Sequence, residues 1–410
     1  MNKYESIFHN KMSPKVISKA ERNVNKLKRK FGDDSNTVYH VQEDDQSILY
    51  EHLGIKTLKP GDTPWQALDP NPLIIGNIRM GFGHYRISMA IASCARHLGY
   101  TPYWFDLHSF DKTTGGKIIA HLNHLYSLGS RWSQKYSLFN RFYWEPLNYE
   151  GFKKLSYNAS DQAMAQLMTP IYHDLDKDIP FVATHVWPAQ AAIHAKIKKV
   201  INVIPDNWPM GLHLAEGSIH TVQTHSSHFG YKTLKHMIKD QVLHPIPSKE
   251  IVYTGHYIDH ELVVNLKSDT QKRVQRIQDK KPKRILMTIG GAGAQSEFYR
   301  NMIEHLLPRI KANDVTVFVN VGDHHHVWES LLKQLPELES LATCHFDLWQ
   351  HTQLLAAEAL DGDVLGLHVF YHQDIYQAVY STNLLMRASD ILVTKPSELA
   401  FYPIPKLFIK

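Results

Sequence analysis

Cysteines and long apolar runs are scarce in this sequence. Its 410 residues include only two cysteines, Cys94 and Cys344. Two cysteines in unrelated contexts provide neither a disulfide framework nor a cysteine-based zinc site, and such sparing use is typical of a reducing compartment. No apolar run reaches the roughly 18 residues that a membrane-spanning helix needs, and the N-terminal segment has no apolar stretch of the secretory type. We therefore expect a cytoplasmic protein without a membrane span.

The composition is that of a folded protein with a mild excess of positive charge. Hydrophobic residues make up 43% and charged residues 21% of the sequence, which excludes a disordered chain. A length of 410 residues favours two domains. The net charge of +5 suits an anionic partner such as a nucleotide, a nucleic acid or a membrane surface, and does not choose among them.

Residues 14–31 predict a basic amphipathic helix. Apolar residues recur there at helical spacing among many lysines and arginines. They are Val16, Ile17, Ala20, Val24, Leu27 and Phe31. Two interpretations stay open: a helix packed on the body of the protein with a solvated charged face, or a helix that contacts a membrane surface.

Strand patterns alternate with helical patterns in two series. The first series begins at the apolar segment PLIIGNI, residues 72–78, and ends at EIVYTGH, residues 250–256. The second begins at RILMTIGG, residues 284–291, and ends at PKLFIK, residues 405–410. Alternating strands and helices imply a parallel sheet with helices on both faces. The sequence thus predicts an α/β protein made of two doubly wound, Rossmann-like halves.

The predicted domain boundaries follow from these series. We expect a basic helical extension over residues 1–45, an N-terminal domain over 46–264, a basic linker over 265–284 and a C-terminal domain over 285–410. The segment 267–284 contains eight lysines or arginines. A solvated helix and linker is the ordinary interpretation of such a charge run, and we therefore expect no nucleic-acid partner.

Each series has a glycine-rich turn directly after its first strand. Gly81, Phe82 and Gly83 follow the first, and the segment 290–294, GGAGA, follows the second. Small residues let the backbone approach a ligand, and free N–H groups at a helix start attract phosphate. Neither the lysine-containing P-loop nor a complete dinucleotide fingerprint is present. The second turn predicts an anion site, with a tight packing turn as the alternative.

His84 lies where the first glycine turn enters a predicted helix. The helix dipole disfavours a protonated ring there, so we expect a lowered pKa. A neutral imidazole in a cleft can accept a proton, as a general base must. A capping or surface histidine is the alternative.

Several motifs together resemble those of the GT-B glycosyltransferases. GFGHYRISMAIA is similar to the glycine-histidine turn of diacylglycerol glycosyltransferases, including monogalactosyldiacylglycerol synthases. It is also similar to the turn of the N-acetylglucosaminyltransferase that completes the lipid-linked peptidoglycan precursor. The matching segments INVIPDNWPMGLHLAEGSIHTVQTH, VYTGHYID, TIGGAGA and ASDILVTKPSELAFYPIPKLF follow in the family's order. The resemblance covers roughly residues 73–410 and implies two Rossmann-like domains facing a cleft.

This resemblance implies a function and a set of site residues. It implies metal-independent transfer of a sugar from a nucleotide donor, UDP-linked, to a hydroxyl acceptor that includes lipid or lipid-linked candidates. His84 would be the general base, and Glu398 would bind the ribose hydroxyls. The donor-side residues are Gly290, Gly291, Ala292, Gly293, Ala294, Gln295, Lys395, Ser397 and Glu398. The acceptor-side residues are Gly81, Gly83, Arg86, Asp206, Trp208 and His213. No resident cofactor is implied, since the UDP-sugar is a co-substrate.

The sequence also departs from the family pattern. Phe82 replaces a small residue, and the segment TKPSEL, residues 394–399, is shorter than the corresponding family loop. Residues 343–366 resemble an insertion relative to the family pattern. The sequence stops at a predicted strand where the family continues through further helices, so we expect the second domain to be incomplete. A nucleotide-sugar epimerase or hydrolase of the same fold and a non-catalytic nucleotide-binding protein are the alternative functions.

Three further stretches keep two interpretations each. Residues 121–152 contain nine aromatic residues, which suit either a peripheral surface on the inner face of a membrane or a packed helical hairpin. His324, His325 and His326 are adjacent, whereas zinc ligands must converge, so loop residues are favoured over a metal site. His185 and His194 are either cleft residues or structural histidines.

Overall fold

The chain divides into two compact units. The computed structural model describes residues 2–289 and 296–394, together with the backbone of residues 406–408. The first unit comprises residues 1–80 and 87–257, and the second comprises residues 81–86 and 258–410. Each unit is built around its own sheet. An α/β architecture of the Rossmann-like class, expected from the alternating patterns, is confirmed.

The first unit contains an eight-stranded sheet in the described part of the chain. Its strands and a small N-terminal hairpin are β1 (Ser6–Ile7), β2 (Asn10–Lys11), β3 (His40–Asp44), β4 (Lys56–Gly61), β5 (Pro72–Asn77), β6 (Thr101–Asp106), β7 (Phe181–Ala183), β8 (Val200–Val203), β9 (Ile219–Val222) and β10 (Ile251–Tyr253). The sheet order is β10-β9-β8-β7-β5-β6-β4-β3. Neighbours are parallel except for β3 and β4, which are antiparallel.

Helices accompany the strands of the first unit. They are α1 (Pro14–Phe31), α2 (Ile48–Leu53), α3 (Phe82–His97), α4 (Thr114–Lys135), α5 (Ser137–Phe139), α6 (Leu155–Ala165), α7 (Val186–His194) and α8 (His225–Lys232). Two π-helical segments, Asn140–Trp144 and Leu147–Gly151, follow α5. The first turn of α3 belongs to the second unit, because residues 81–86 group with it.

Strand β5 lies inside the sheet, with both faces covered. Ile74 and Ile75 are fully buried, as expected for a strand of a parallel sheet. A Cβ atom on Gly76 would lie 2.2 Å from the ring of Phe181 on the neighbouring β7, so the ring occupies the space that a side chain would need. Burying an aromatic side chain such as Phe181 contributes about 1.5–3 kcal/mol.

The N-terminal extension differs in part from the expectation. The helix over residues 14–31 is confirmed as α1, and the Ser13 hydroxyl caps it by accepting a bond from the Val16 N–H. Helix α1 packs on α6. Residues 40–44, expected in a helical extension, instead form the edge strand β3. Its sequence HVQED has no strand-like alternation, and it is held by pairing with β4 and by a bond from the Val41 N–H to Asp174.

The second unit contains a parallel six-stranded sheet in the described part of the chain. Its strands are β11 (Lys283–Thr288), β12 (Val315–Asn320), β13 (Ala342–Phe346), β14 (Leu367–Tyr371), β15 (Ile391–Thr394) and β16 (Lys406–Phe408), in the order β13-β14-β12-β11-β15-β16. The helices are α9 (His260–Val264), α10 (Leu266–Gln278), α11 (Ser296–Lys311), α12 (His325–Gln334), α13 (Leu338–Leu341), α14 (Trp349–Asp361) and α15 (Ile375–Ala388).

The segment expected as an insertion, residues 343–366, is part of this sheet. Strand β13 pairs with β14 along its whole length. Helix α14 follows and packs on α15, with Ala356 and Ala359 buried. Strand β13 is an edge strand of the second sheet and pairs with the backbone donors and acceptors of β14 on that side.

The basic segment 267–284 has a structural role. The Arg273 guanidinium donates to three carbonyl groups at the end of α15. Arg284, which lies in β11 and is buried, donates to the carbonyls of Ala359 and Gly362. Cations at the carbonyl end of a helix complement its dipole and satisfy its unpaired acceptors. The basic segment 267–284 resembles a solvated charge cluster in sequence, but part of it is packed within the second unit.

Within residues 2–289 and 296–394, no helix combines the length and the apolar character that a bilayer crossing requires.

Several histidines are buried in the neutral form. Burial lowers the pKa of His220 to about 4. Its Nε2 accepts a bond from the Ala215 N–H, and its Nδ1 lies 3.0 Å from the Glu250 carbonyl, so protonation would displace the Ala215 bond. Burial likewise lowers the pKa of His345 and of His372 to about 4.

These histidines predict a loss of stability in acid. The unfolded pKa is near 6.5, so below that pH the unfolded state binds more protons and the free energy of unfolding falls until about pH 4. His220 alone should account for about 2 kcal/mol between pH 7.5 and pH 5. Urea unfolding at both pH values should show a smaller pH-dependent loss in His220→Gln than in the wild type. The exposed control His305→Gln should keep the wild-type loss, and an equal loss in all three proteins would contradict the assignment.

Candidate functional site

The first sheet has a topological switch point beside β5. The chain runs from β5 to β6 on one side and later returns to β7 on the other side. In open α/β sheets, ligands bind at the carboxyl ends of the strands where the order reverses in this way. The turn after β5 and the turn after β7 therefore flank the expected ligand position of this unit.

The predicted residues Gly81, Gly83 and His84 lie at the turn after β5. Gly81 has a φ of +85°, a left-handed conformation that favours glycine. Helix α3 begins at Phe82, so Gly83 and His84 are in its first turn. His84 is buried. The structure thus puts the imidazole where the dipole argument expected it.

Asn77, at the end of β5, is a candidate that the sequence motifs did not indicate. It is fully buried, and neither atom of its amide has a hydrogen-bond partner within the described residues. Asn320, at the end of β12 in the other sheet, offers a comparison. Its amide donates to Ala378 and to two hydroxyls and accepts from the Gly322 N–H. An unpaired buried amide costs about 1–3 kcal/mol, so Asn77 is the kind of group that a ligand or water satisfies.

The remaining first-turn residues pack inside the second unit. The Arg86 guanidinium donates to the Asn383 side chain at 2.6 Å and to the Val379 carbonyl at 3.2 Å. The Tyr85 ring stacks on that of Tyr376, with centroids 5.7 Å apart. Arg86, which was predicted on the acceptor side, therefore uses its guanidinium to hold residues of helix α15.

Asp206 and His213, which the resemblance grouped together, are in contact. The Asp206 Oδ2 lies 2.8 Å from the His213 Nε2. His213 ends the short turn Gly211–His213 and is buried. A Cβ on Gly211 would lie 2.7 Å from the Lys154 carbonyl oxygen, so this turn sits tightly on the preceding segment. A carboxylate in this position can hold the imidazole in one orientation.

Trp208 forms an exposed aromatic platform next to this pair in sequence. It is 45% exposed and stacks on Tyr149 with centroids 5.6 Å apart. The Lys153 ammonium lies 5.6 Å from the Trp208 ring and 5.9 Å from the Tyr149 ring, within cation–π range. The platform offers a flat apolar face with a positive charge at its side.

A buried polar seam, Asn158, Asp161, Gln162, Trp187 and Gln190, joins α6 and α7. Asn158 and Gln190 both donate to the Leu214 carbonyl. Asp161 lies beside the Trp187 indole, and burial raises the pKa of its carboxyl to about 7. Sequence analysis missed this seam, although its α6 members recur at the i, i+3 and i+4 spacing that defines one helix face.

The donor-side residues lie outside the described residues. They are Gly290, Gly291, Ala292, Gly293, Ala294, Gln295, Lys395, Ser397 and Glu398. The strands that precede them are described, however. Thr288 and Thr394 are paired at the ends of β11 and β15, and their hydroxyls are 3.0 Å apart. Since β11 is flanked by β12 and β15, this pair marks the switch point of the second sheet.

The other predicted histidines have local partners. His185 caps α7 by accepting a bond from the Trp187 N–H, and the His194 Nε2 lies 3.0 Å from the Gln162 carbonyl. His324 precedes α12, whereas His325 and His326 lie inside it. Among the described residues, no group of three or more histidine, cysteine or acidic side chains could hold a metal ion.

Together, the parallel sheets and their switch points define an α/β protein of the Rossmann-like class. Residues 6–233 match the family model described as "Domain of unknown function (DUF6937)". The chain belongs to this family, because the match spans more than half of its length. Residues 246–410 match the model described as "Domain of unknown function (DUF6938)". No curated protein matches the sequence.

The buried carboxyl of Asp161 predicts a pH-dependent effect of Asp161→Asn. Between its unfolded pKa of 3.8 and its folded pKa of about 7, only the unfolded state releases the proton, so stability falls as the pH rises and levels off above 7. The asparagine variant avoids this loss. It should be more stable than the wild type at pH 8, by up to about 4 kcal/mol, and nearly equal to it at pH 4.

Thermal unfolding at both pH values measures this difference. Asp111→Asn, at an exposed aspartate, is the control and should track the wild type at both. A variant Asp161→Asn that is destabilised equally at both pH values would show that the carboxyl is not buried as a neutral acid.

Proposed function

We propose that this protein is a GT-B glycosyltransferase that moves a sugar from a UDP-linked donor to a hydroxyl acceptor. The observation that carries the proposal is the position of the predicted residues. The turn residues Gly81–Arg86 follow β5 in the chain, and the donor-side residues follow β11 and β15, which are the strands at the two switch points. These are the places where α/β sheets bind ligands.

The donor would bind in the second unit. Backbone N–H groups of residues 290–294 would meet the diphosphate, as such groups do at a helix start. Glu398 would accept bonds from the two ribose hydroxyls, a task that suits a carboxylate with two oxygens. Gln295, Lys395 and Ser397 would line the same site. The charge that develops on the leaving diphosphate would be stabilised by these donors, without a metal ion.

The acceptor would bind at the carboxyl end of β5. His84 would take the proton of the acceptor hydroxyl as that oxygen attacks the sugar. Buried Asn77 offers an amide at the end of the same strand. The pair of Asp206 and His213 and the Trp208 platform supply a charged and an aromatic surface for the rest of the acceptor.

A lipid acceptor at a membrane surface is part of the proposal. The aromatic segment over residues 121–152, for which the sequence allowed two interpretations, contains exposed rings. Phe142 is 71% exposed and Tyr143 is 59% exposed. The Arg141 guanidinium lies over the Phe142 ring, and Lys135 lies over Tyr136. Aromatic and basic side chains together suit the headgroup level of a bilayer. We propose that this surface contacts the cytoplasmic face of the membrane as a peripheral site.

Nucleotide binding is the direct test of the donor site. Calorimetric titration of the full chain should show binding of UDP that exceeds binding of GDP and ADP. Glu398→Ala should weaken UDP binding by about tenfold or more, since it removes a charge-assisted bond worth roughly 1.5–3 kcal/mol. Glu339→Ala, at an exposed glutamate of the same unit, should bind like the wild type. Absence of binding by all three nucleotides would refute the donor site.

The base role of His84 has a separate test. Turnover of UDP-sugars would be followed with saccharide acceptors and with diacylglycerol presented in vesicles. His84→Ala should reduce turnover by roughly 10²-fold or more and leave UDP affinity nearly unchanged, the usual size of a general-base effect. The control His305→Ala should keep full turnover. Unchanged turnover in His84→Ala would remove the role, and release of UDP without any acceptor would indicate a hydrolase.

A further inference from the structure

A cavity lies at the β3–β4 edge of the first sheet, away from the switch point. Strands β4 and β5 are both parallel to β6, which lies between them. Such strands are ordinarily joined by a helix, but residues 62–71 connect them without one. This connection, which we call the 62–71 loop, leaves a cavity of about 640 Å³ against β3 and β4. Its volume is within the range of small-molecule sites.

Trp65 anchors the 62–71 loop and forms one wall of the cavity. Its ring meets the Tyr103 ring edge to face, with centroids 5.2 Å apart. Its indole N–H donates to Glu43 at 3.0 Å, and its backbone N–H donates to Asp174 at 2.9 Å. Two contacts fix the orientation of this indole and the backbone bond holds the residue in place, so the indole is a preorganised apolar surface and not a mobile side chain.

Three charged residues face the cavity together. The Lys56 ammonium lies 2.7 Å from Glu43 and 2.7 Å from Asp69, and all three line the cavity. Asp69 also accepts a bond from the Tyr103 hydroxyl at 2.6 Å. These bonds engage Oδ2 of Asp69, so its Oδ1 keeps acceptor capacity. Hydrogen bonds from Lys56 and Tyr103 lower the pKa of Asp69, so the carboxylate is charged at neutral pH.

The side chains that line the cavity limit the chemical class of ligand that can bind there. The two carboxylates disfavour an anion, and the Lys56 ammonium already pairs with both of them, so a cationic ligand would gain less from their charge. An acyl chain would displace water from three charged groups and could not replace the hydrogen bonds that they make to it. A neutral polyhydroxyl compound fits, because each hydroxyl can donate to a carboxylate or accept from an ammonium. Gln42, Gln66 and Thr63 add neutral donors and acceptors around the same cavity, and the indole offers a face for the C–H groups of a sugar ring.

We propose that this cavity is a saccharide-binding site, built on Trp65, Glu43, Lys56 and Asp69. It recognises a neutral sugar unit by packing on the indole and by bonds to the charged triad. The site lies at the β3–β4 edge of the sheet, and β6 separates β4 from β5, so it is built on other residues than the acceptor surface near His84. It goes beyond the proposed transfer activity and does not depend on it, because it rests on different residues.

Binding of neutral disaccharides to the full chain tests the site. The probes are maltose, cellobiose and N,N′-diacetylchitobiose, measured by saturation-transfer NMR and by calorimetry, with choline as a cationic probe. At least one disaccharide should bind with millimolar or better affinity. Trp65→Ala should weaken that binding by about tenfold or more, as expected for loss of an aromatic anchor. Failure of all three disaccharides to bind, or binding of choline alone, would overturn the proposal.

Matched variants separate the site from a general loss of folding. Trp132→Ala removes an exposed tryptophan elsewhere in the first unit and should bind the disaccharide like the wild type. Gln66→Ala alters an exposed residue of the cavity wall and should weaken binding while unfolding like the wild type. Equal affinity in Trp65→Ala, Gln66→Ala and the wild type would assign the sugar to another place. His84→Ala should retain disaccharide binding, so this result is distinct from failure of the transfer proposal.

Discussion

Each unit is organised by a parallel strand that is buried on both faces. In the first unit this strand is β5, and in the second it is β11. Because helices must cover both faces, the chain leaves each strand at its carboxyl end, crosses one face, and later returns to the other side. The reversal of direction produces a switch point beside β5 and beside β11. The glycine turn after β5 follows from the same constraint, since helix α3 starts within a few residues of the strand end.

The interior of the first unit contains polar groups that its fold does not require. Asn77 and Asp161 are buried with polar atoms that have no partner among the described residues. In the second unit, Asn320 is fully bonded. Unpaired interior polar groups reduce stability, and the apolar core must offset that cost. Departures of this kind concentrate at functional sites, and Asn77 lies at the carboxyl end of β5.

Sequence patterns predicted the inner strands well and the edges poorly. Strands β5 and β12 are continuous apolar runs, because both of their faces are buried. The edge strands β3 and β13 have the sequences HVQED and ATCHF, in which polar residues face solvent and no run appears. Their pairing depends on the neighbouring strand, which a local pattern does not contain. The cavity under the 62–71 loop was missed for the same reason, since it is formed by residues from two strands and a connection.

The sequence alone predicted the inner strands, many of the helices and the glycine turn after β5, since apolar periodicity and small residues act over a few neighbouring positions. Motif resemblance also predicted site residues in the segments 81–86 and 206–213, which remain a proposal. Tertiary structure decided which strands are neighbours, and therefore where the switch points lie. It brought Asp206 to 2.8 Å from His213, buried the Asp161 carboxyl, and committed Arg284 to helix carbonyls. These outcomes depend on packing between segments that are distant in the chain, which local patterns do not specify.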